Sequence, residues 1–221
     1  MAQVLGGDAM VRLLLVLALL ASAPAAALGN GLDFARQAQQ AEARRDFVQA
    51  AALYTKAIES GDLKKQQLAD ALHYRGNASF FLGKFSTAIN DYVVSLRTDP
   101  KNLYVTLWLF LARRHSGQDG SVELSNYTRK QDLFYWPGPV ASLYLGQMGI
   151  EDVLLAAKDP FLDEKTQLEQ SCEAYFYAGQ YALLNGDKAG AIRLFRAAVA
   201  TGVTTFIEYD GARTALERLG G

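Results

Sequence analysis

The sequence predicts an all-α protein, a solenoid in which antiparallel helix hairpins stack on one another. Three observations lead to this prediction. A 34-residue unit at residues 69–102 places small and aromatic residues where two antiparallel helices must touch. The same pattern recurs in register at residues 31–64 and at residues 172–205. One hairpin of this size cannot bury its own apolar face, so neighbouring hairpins must stack on it.

The clearest unit spans residues 69–102 and contains its own turn and stop signals. Gly76 lets the two helices approach closely because it has no side chain. The turn follows at residues 83–85, and Asp99-Pro100 ends the second helix because proline cannot continue it. The packing face of the second helix consists of a small, an aromatic and an aliphatic residue, Ala88, Tyr92 and Leu96.

Two further units carry similar residues at equivalent positions. Residues 31–64 have their turn at Asp46-Phe47, and the second helix then presents Ala50, Tyr54 and Ala57. Residues 172–205 have Gly179 in the first helix and a turn at residues 185–187, and the second helix presents Ala191, Phe195 and Ala198. The shared period and residue types favour true repeats. The alternative is an ordinary helical bundle in which the alanine and glycine spacing is accidental.

The remaining segments depart from the repeat. Residues 103–160 predict a divergent unit, with an apolar helix at residues 103–115 and a second helix over residues 122–133. Two prolines and a glycine at residues 136–139 must end this second helix, and short helices follow. Residues 204–219 predict an amphipathic helix that caps the last hairpin, as terminal helices do in solenoids.

Residues 1–27 predict a secretory signal peptide. Arg12 precedes a short apolar run that ends among small residues, and cleavage is expected after Ala25 or Ala27. Met10 is an alternative start, because the residues before it carry no positive charge. We therefore expect a periplasmic or secreted protein. The alternative is an uncleaved inner-membrane anchor, although the apolar run is shorter than the ~20 residues that a spanning helix needs.

Composition and motifs argue against several classes of function. The net charge of −1 gives no basic face for nucleic acid. Cys172 is the only cysteine, so no intrachain disulfide can form, and its apolar neighbours predict a packed residue rather than a reactive thiol. The two histidines, His73 and His115, have no metal-ligand spacing, and no HExxH, CxxC or glycine-rich phosphate loop occurs. We expect no catalytic residues, no metal and no cofactor.

The three units resemble tetratricopeptide (TPR) repeats, and the resemblance covers about half of the chain. Trp136-Pro137, residues 173–177, Gly186-Asp187 and residues 206–209 also resemble the proteobacterial "new lipoprotein I" group. This second resemblance implies a periplasm-facing adaptor whose partners are other proteins or peptides, among them envelope proteases and peptidoglycan hydrolases. The chain lacks the lipobox cysteine of that group, so a lipid anchor is not implied.

Two surfaces are candidate binding sites. In a TPR array the first helix of each hairpin lines a concave groove, and amide and aromatic side chains there can hold an extended peptide. The template places these residues in the groove: Gln39, Asp70, His73, Asn77, Phe80, Glu173, Phe176 and Gln180. The second surface is an aromatic cluster around the prolines, Tyr127, Phe134, Tyr135, Trp136 and Tyr144. These aromatic residues suit an interface, or they fill the gap left by broken helices.

The sequence therefore predicts a non-catalytic adaptor or scaffold of the cell envelope, with a homodimer as a possible assembly. Two other readings stay open, an unrecognised envelope hydrolase and a membrane-anchored assembly factor. A deep pocket with clustered carboxylates or a Ser/His pair would favour the hydrolase, whereas a shallow open groove would favour the scaffold.

Overall fold

The structure is a computed structural model that describes residues 30–129 and 131–221. These residues form eleven helices and no strand, which confirms the predicted all-α class. The predicted signal peptide lies outside the described residues. The helices, in chain order, are α1 (Gly31–Ala43), α2 (Phe47–Glu59), α3 (Lys65–Phe81), α4 (Phe85–Thr98), α5 (Leu103–His115), α6 (Ser121–Thr128), α7 (Gly138–Tyr144), α8 (Ile150–Ala156), α9 (Glu164–Leu184), α10 (Lys188–Ala200) and α11 (Ile207–Leu219).

Three pairs of consecutive helices pack closely together, α1 with α2, α3 with α4, and α9 with α10. Short turns join the two helices of each pair, so the helices run antiparallel. The middle residue of each turn has a positive φ, at Arg45 (59°), Gly83 (74°) and Gly186 (84°). The next residue donates its backbone N–H to a carbonyl five positions back, as in a Schellman motif. The three hairpins thus share one turn geometry.

A glycine in the first helix sets the distance between the helices in two of the hairpins. A Cβ atom at Gly76 would lie 2.5 Å from the ring of Tyr92, and one at Gly179 would lie 2.6 Å from the ring of Phe195. Both rings are fully buried. Any side chain at these glycines would push the second helix away, because buried rings have no free space to move into.

The aromatic rings packed around Trp108 join the hairpins across the middle of the molecule. Trp108 of α5 is buried, and its ring centroid lies 5.2 Å from that of Phe80 and 5.7 Å from that of Phe81 in α3. On its other side it lies 5.3 Å from the ring of Phe176 and 6.2 Å from that of Tyr177 in α9. One tryptophan therefore connects the second hairpin with the last.

The middle of the chain forms short helices, with one difference from the prediction. The helix expected over residues 122–133 ends at Thr128. Residues 129–137 then lead into α7, which starts at Gly138 with Pro139 in its first turn, where proline leaves no hydrogen bond unmade. The proline pair therefore precedes and begins a helix.

The C-terminal helix α11 packs on α9 and α10 and also reaches the first two hairpins. Arg45, in the turn between α1 and α2, donates to Glu217 Oε1 at 2.7 Å and to Thr214 Oγ1 at 3.1 Å. Arg218 donates to the backbone carbonyl of Phe81. A Cβ at Gly211 would lie 2.6 Å from the ring of Phe176, so helix α11 lies directly against α9. Helix α11 thus contacts both of the first two hairpins.

Among the described helices, none is long and apolar enough to cross a membrane.

The close approach at Gly179 gives a stability test. We expect Gly179→Ala to lower the free energy of unfolding by about 1–2 kcal/mol, because the new methyl group collides with the buried ring of Phe195. This clash outweighs the roughly 1 kcal/mol of helix propensity that alanine gains over glycine. Urea unfolding followed by circular dichroism measures the change.

Gly149→Ala is the matched control. Its Cβ would lie 3.3 Å from a side-chain oxygen of Asp152, which can move aside, so we expect a loss below about 1 kcal/mol. A Gly179→Ala variant as stable as the parent chain would contradict the proposed close packing.

Candidate functional site

A cleft of about 390 Å³ lies between α3, α5, α9 and the start of α11. We call it the central cleft. It brings together four residues that the sequence places in a groove, Asp70, His73, Asn77 and Glu173. Residues from two other elements complete its wall, among them Tyr104, Trp108, Thr205, Phe206 and Glu208. Residues far apart in the sequence therefore meet at one open space.

The other residues predicted for the groove lie elsewhere. Gln39 lines a separate space of about 220 Å³ between α1 and α3. Phe80, Phe176 and Gln180 are buried and do not line the central cleft. Phe80 and Phe176 pack on Trp108, and α11 also covers Phe176. Gln180 instead holds His115, with 2.9 Å between its Oε1 and the imidazole Nε2. Phe80 and Gln180 line a separate space of about 220 Å³, which residues of α5 and α11 also border.

Two glutamates at the cleft are buried and held by aromatic donors. Glu173 is 6% exposed, and its Oε2 accepts from Trp136 Nε1 at 2.6 Å and from the Tyr104 hydroxyl at 3.0 Å. Glu208 is 4% exposed, and its Oε1 accepts from the Tyr177 hydroxyl at 2.8 Å. The two side chains are fixed in place by these bonds.

Burial raises the affinity of both carboxyls for a proton. Burial raises the pKa of Glu173 to about 8, with a further contribution from the charge of Glu208, while the hydrogen bonds from Trp136 and Tyr104 act in the opposite direction. Burial also raises the pKa of Glu208, against the hydrogen bond from Tyr177. The pair therefore retains a proton at neutral pH.

A hydrogen-bonded chain on α3 forms the opposite wall. The Tyr92 hydroxyl donates to Asn77 Oδ1 at 2.8 Å, and Asn77 Nδ2 lies 3.3 Å from His73 Nε2. This network assigns Nε2 as the acceptor and leaves the imidazole proton on Nδ1. Burial lowers the pKa of His73 to about 4, so the imidazole is neutral at physiological pH.

Sequence reasoning missed Glu208 as a site residue and gave Trp136 a different role. Glu208 lies in the first turn of α11, where an acidic residue is common because it interacts favourably with the helix dipole. Its position in the sequence therefore does not by itself indicate a site. Trp136 was predicted for the aromatic cluster, but its indole N–H binds Glu173. No local pattern links residues 136, 173 and 208, because only the tertiary fold brings them together.

The predicted aromatic cluster separates into parts with different surroundings. Phe134 is 81% exposed and Tyr135 is 71% exposed, and their ring centroids lie 5.3 Å apart. Tyr144, by contrast, is buried and stacks on Phe110 at 4.7 Å, and the Tyr127 hydroxyl donates to the carbonyl of Lys101. Phe134 and Tyr135 are therefore exposed as an interface requires, whereas Tyr144 fills the interior, as the alternative prediction has it.

The part of the chain that the structure describes contains no group of three His, Cys, Asp or Glu residues placed to hold a metal ion. No protein-family model matches the chain.

The raised pKa of Glu173 predicts how stability depends on pH. The folded state keeps a proton that the unfolded chain releases above its ordinary pKa, so stability is greatest at acid pH and falls as the pH rises through about 8. Glu173→Gln cannot ionise. We therefore expect its loss of unfolding free energy between pH 5 and pH 9 to be smaller by about 1–3 kcal/mol. Glu42, whose pKa is raised to about 7, contributes to the remaining slope.

Glu164→Gln is the control, because Glu164 is an exposed carboxylate at the start of the same helix. Urea unfolding at several pH values measures all three chains. A Glu173→Gln variant with the pH dependence of the parent chain would disprove the placement of a buried proton at this residue.

Proposed function

We propose that the chain is a non-catalytic adaptor or scaffold of the bacterial cell envelope, and that it binds a peptide segment of a partner protein in the central cleft. The observation that carries this proposal is the meeting of Asp70, His73, Asn77 and Glu173 around one open space. Following the resemblance of the sequence, the partners are envelope proteases or peptidoglycan hydrolases.

The wall of the central cleft has the mixture of groups that a peptide needs. A peptide backbone carries a donor and an acceptor at nearly every residue. Asn102, Thr205 and His73 offer polar groups, and Tyr74 and Phe206 offer apolar surface. Its volume of about 390 Å³ is in the range of ligand pockets.

The arrangement of hairpins supports a TPR-like solenoid as the frame of this site. The three hairpins share a turn geometry, and two share a glycine–aromatic contact between their helices. In such an array the first helices line the concave surface, and the cleft lies on α3 and α9, which are both first helices. Stacked hairpins are a common frame for peptide binding.

A hydrolase active on cell-wall material is the second candidate. The observation that favours it is the pair of neighbouring carboxyls, Glu173 and Glu208, whose raised pKa values suit general acid catalysis. Each carboxyl is nevertheless buried and already accepts hydrogen bonds from aromatic side chains, which favours binding over proton transfer to a substrate.

Blocking the cleft tests the scaffold. Thr205 is exposed and lines the cleft, so Thr205→Trp fills the space without disturbing the core. We expect the full-length chain to enrich a set of sequences from a displayed random-peptide library, and Thr205→Trp to lose that enrichment by at least about tenfold.

Thr204→Trp places the same side chain one residue away, outside the cleft wall, and should enrich peptides as the parent chain does. Absence of enrichment by the parent chain contradicts peptide binding. Release of soluble fragments from purified peptidoglycan by the parent chain but not by Thr205→Trp would establish the hydrolase instead.

We also propose export through the signal peptide at residues 1–27. Expression of the full-length chain in a Gram-negative host should give a periplasmic protein whose mass corresponds to cleavage after Ala25 or Ala27. Intact-mass spectrometry of the periplasmic and membrane fractions measures this. A membrane-bound chain that retains residues 13–27 would contradict the periplasmic location and favour the anchored assembly factor.

A further inference from the structure

We propose that the central cleft binds a basic side chain of the partner peptide, a lysine or an arginine, against the carboxylates of Glu173 and Glu208. This inference rests on the proposed function and adds the chemical class of the residue that the cleft recognises.

The charges around the cleft have one sign. Asp70, Glu173 and Glu208 lie in its wall, and no lysine or arginine occurs among the described residues that line it. His73 adds no positive charge, because burial keeps it neutral. Without a cationic partner the buried pair keeps a proton, and a cation supplied by a ligand would stabilise its ionised form.

Two other carboxyls of this chain have an arginine partner, whereas Glu42, like the cleft pair, accepts a hydrogen bond from an aromatic side chain instead. Asp91 is buried and pairs with Arg75, with 2.6 Å between the closest atoms. Asp210, which is less buried, lies 3.4 Å from Arg45. The carboxyls of the cleft lack such a partner, and they are the ones that face an open space.

One oxygen at the cleft has unused acceptor capacity. Both hydrogen bonds to Glu173 end on Oε2, and Oε1 accepts none from the described part of the chain. Among the described residues, the buried side-chain atoms without a hydrogen-bond partner belong to Glu42, Arg45 and Arg113, and Oε1 of Glu173 is not one of them. Glu173 lines the cleft, so the proposed site places the cation at Oε1. An ammonium or guanidinium group there gains a charge-assisted hydrogen bond.

The aromatic wall adds a second, independent attraction. Tyr104 and Phe206, which are partly exposed, line the same space as the carboxyls. Aromatic faces attract cations through the ring quadrupole, and the attraction is stronger where water is excluded. The long apolar stems of lysine and arginine also pack well on aromatic rings.

Binding of the basic side chain should release a proton. The pair retains a proton at neutral pH, and a cation stabilises the ionised form instead. The groups that face the pair are Glu169 on α9, Tyr104 on α5, Tyr177 on α9, and Asp70 and His73 on α3, and none of them is positively charged at neutral pH. Affinity should therefore rise with pH until Glu173 is ionised.

The test uses fluorescent peptides that are acetylated and amidated at their ends, so that only the side chain differs. Their central residue is lysine, arginine, norleucine or glutamate, among serines and alanines. Anisotropy with the full-length chain should give at least about tenfold tighter binding of the lysine and arginine peptides than of the norleucine peptide, and weakest binding of the glutamate peptide. Calorimetry in two buffers of different ionisation enthalpy should record proton release.

Matched variants locate the effect. Glu173→Gln and Glu208→Gln should each remove most of the preference for a basic residue, and Glu164→Gln should leave it unchanged. Thr205→Lys, which places a cation of the protein itself at the cleft, should weaken binding of the lysine peptide by about fivefold or more, whereas Thr204→Lys should not. Thr204 and Thr205 lie on the surface, so their lysine variants still test the inference if a glutamate variant fails to fold.

Equal binding of the lysine and norleucine peptides, or a lysine preference that survives Thr205→Lys, overturns this inference and leaves the proposed peptide binding intact. Failure of every peptide to bind overturns both.

Discussion

The packing of Trp108 is the constraint on which the rest of the structure depends. Its ring lies between the phenylalanines of α3 and the aromatic residues of α9, so it fixes the distance between two hairpins that are separated by the irregular middle of the chain. The same indole lines the central cleft. The interaction that joins the hairpins therefore also sets the width of the space between them, and a change in the core at this point changes the site.

Contacts between α11 and the first two hairpins also position the helices around this space. Arg45 in the first turn binds Glu217 and Thr214 of α11, and Arg218 binds the end of α3. These contacts hold α11 against the first two hairpins, and the start of α11 forms one wall of the cleft. The cleft contains two buried carboxyls, and burial raises their pKa values because it disfavours the ionised form.

Much of the fold could be predicted because the information is local. The turns at Asp46, Gly83 and Gly186, and the contacts of Gly76 and Gly179, follow from residues within one hairpin. The sequence predicts that α11 caps the last hairpin, and α11 packs on α9 and α10. Its contacts with the first two hairpins could not be predicted, since they depend on how the hairpins sit relative to one another, which no hairpin encodes alone. The burial of Phe80 and Phe176 has the same origin, because residues of α5 and α11 pack on them. Glu208 required the tertiary structure entirely.

The segment that departs from the repeat has a structural role at the cleft. A regular third hairpin would have continued the array, whereas the short helices after α5 bring Trp136 back to α9, where its indole holds Glu173. The same hydrogen bond fixes Oε2 and leaves Oε1 as the oxygen available to the cleft. The irregular middle of the chain thus positions the carboxyl group of Glu173 through one hydrogen bond, and Trp136 itself does not line the cleft. The interruption of the hairpin pattern therefore ends, through the indole of Trp136, on the carboxyl group of Glu173.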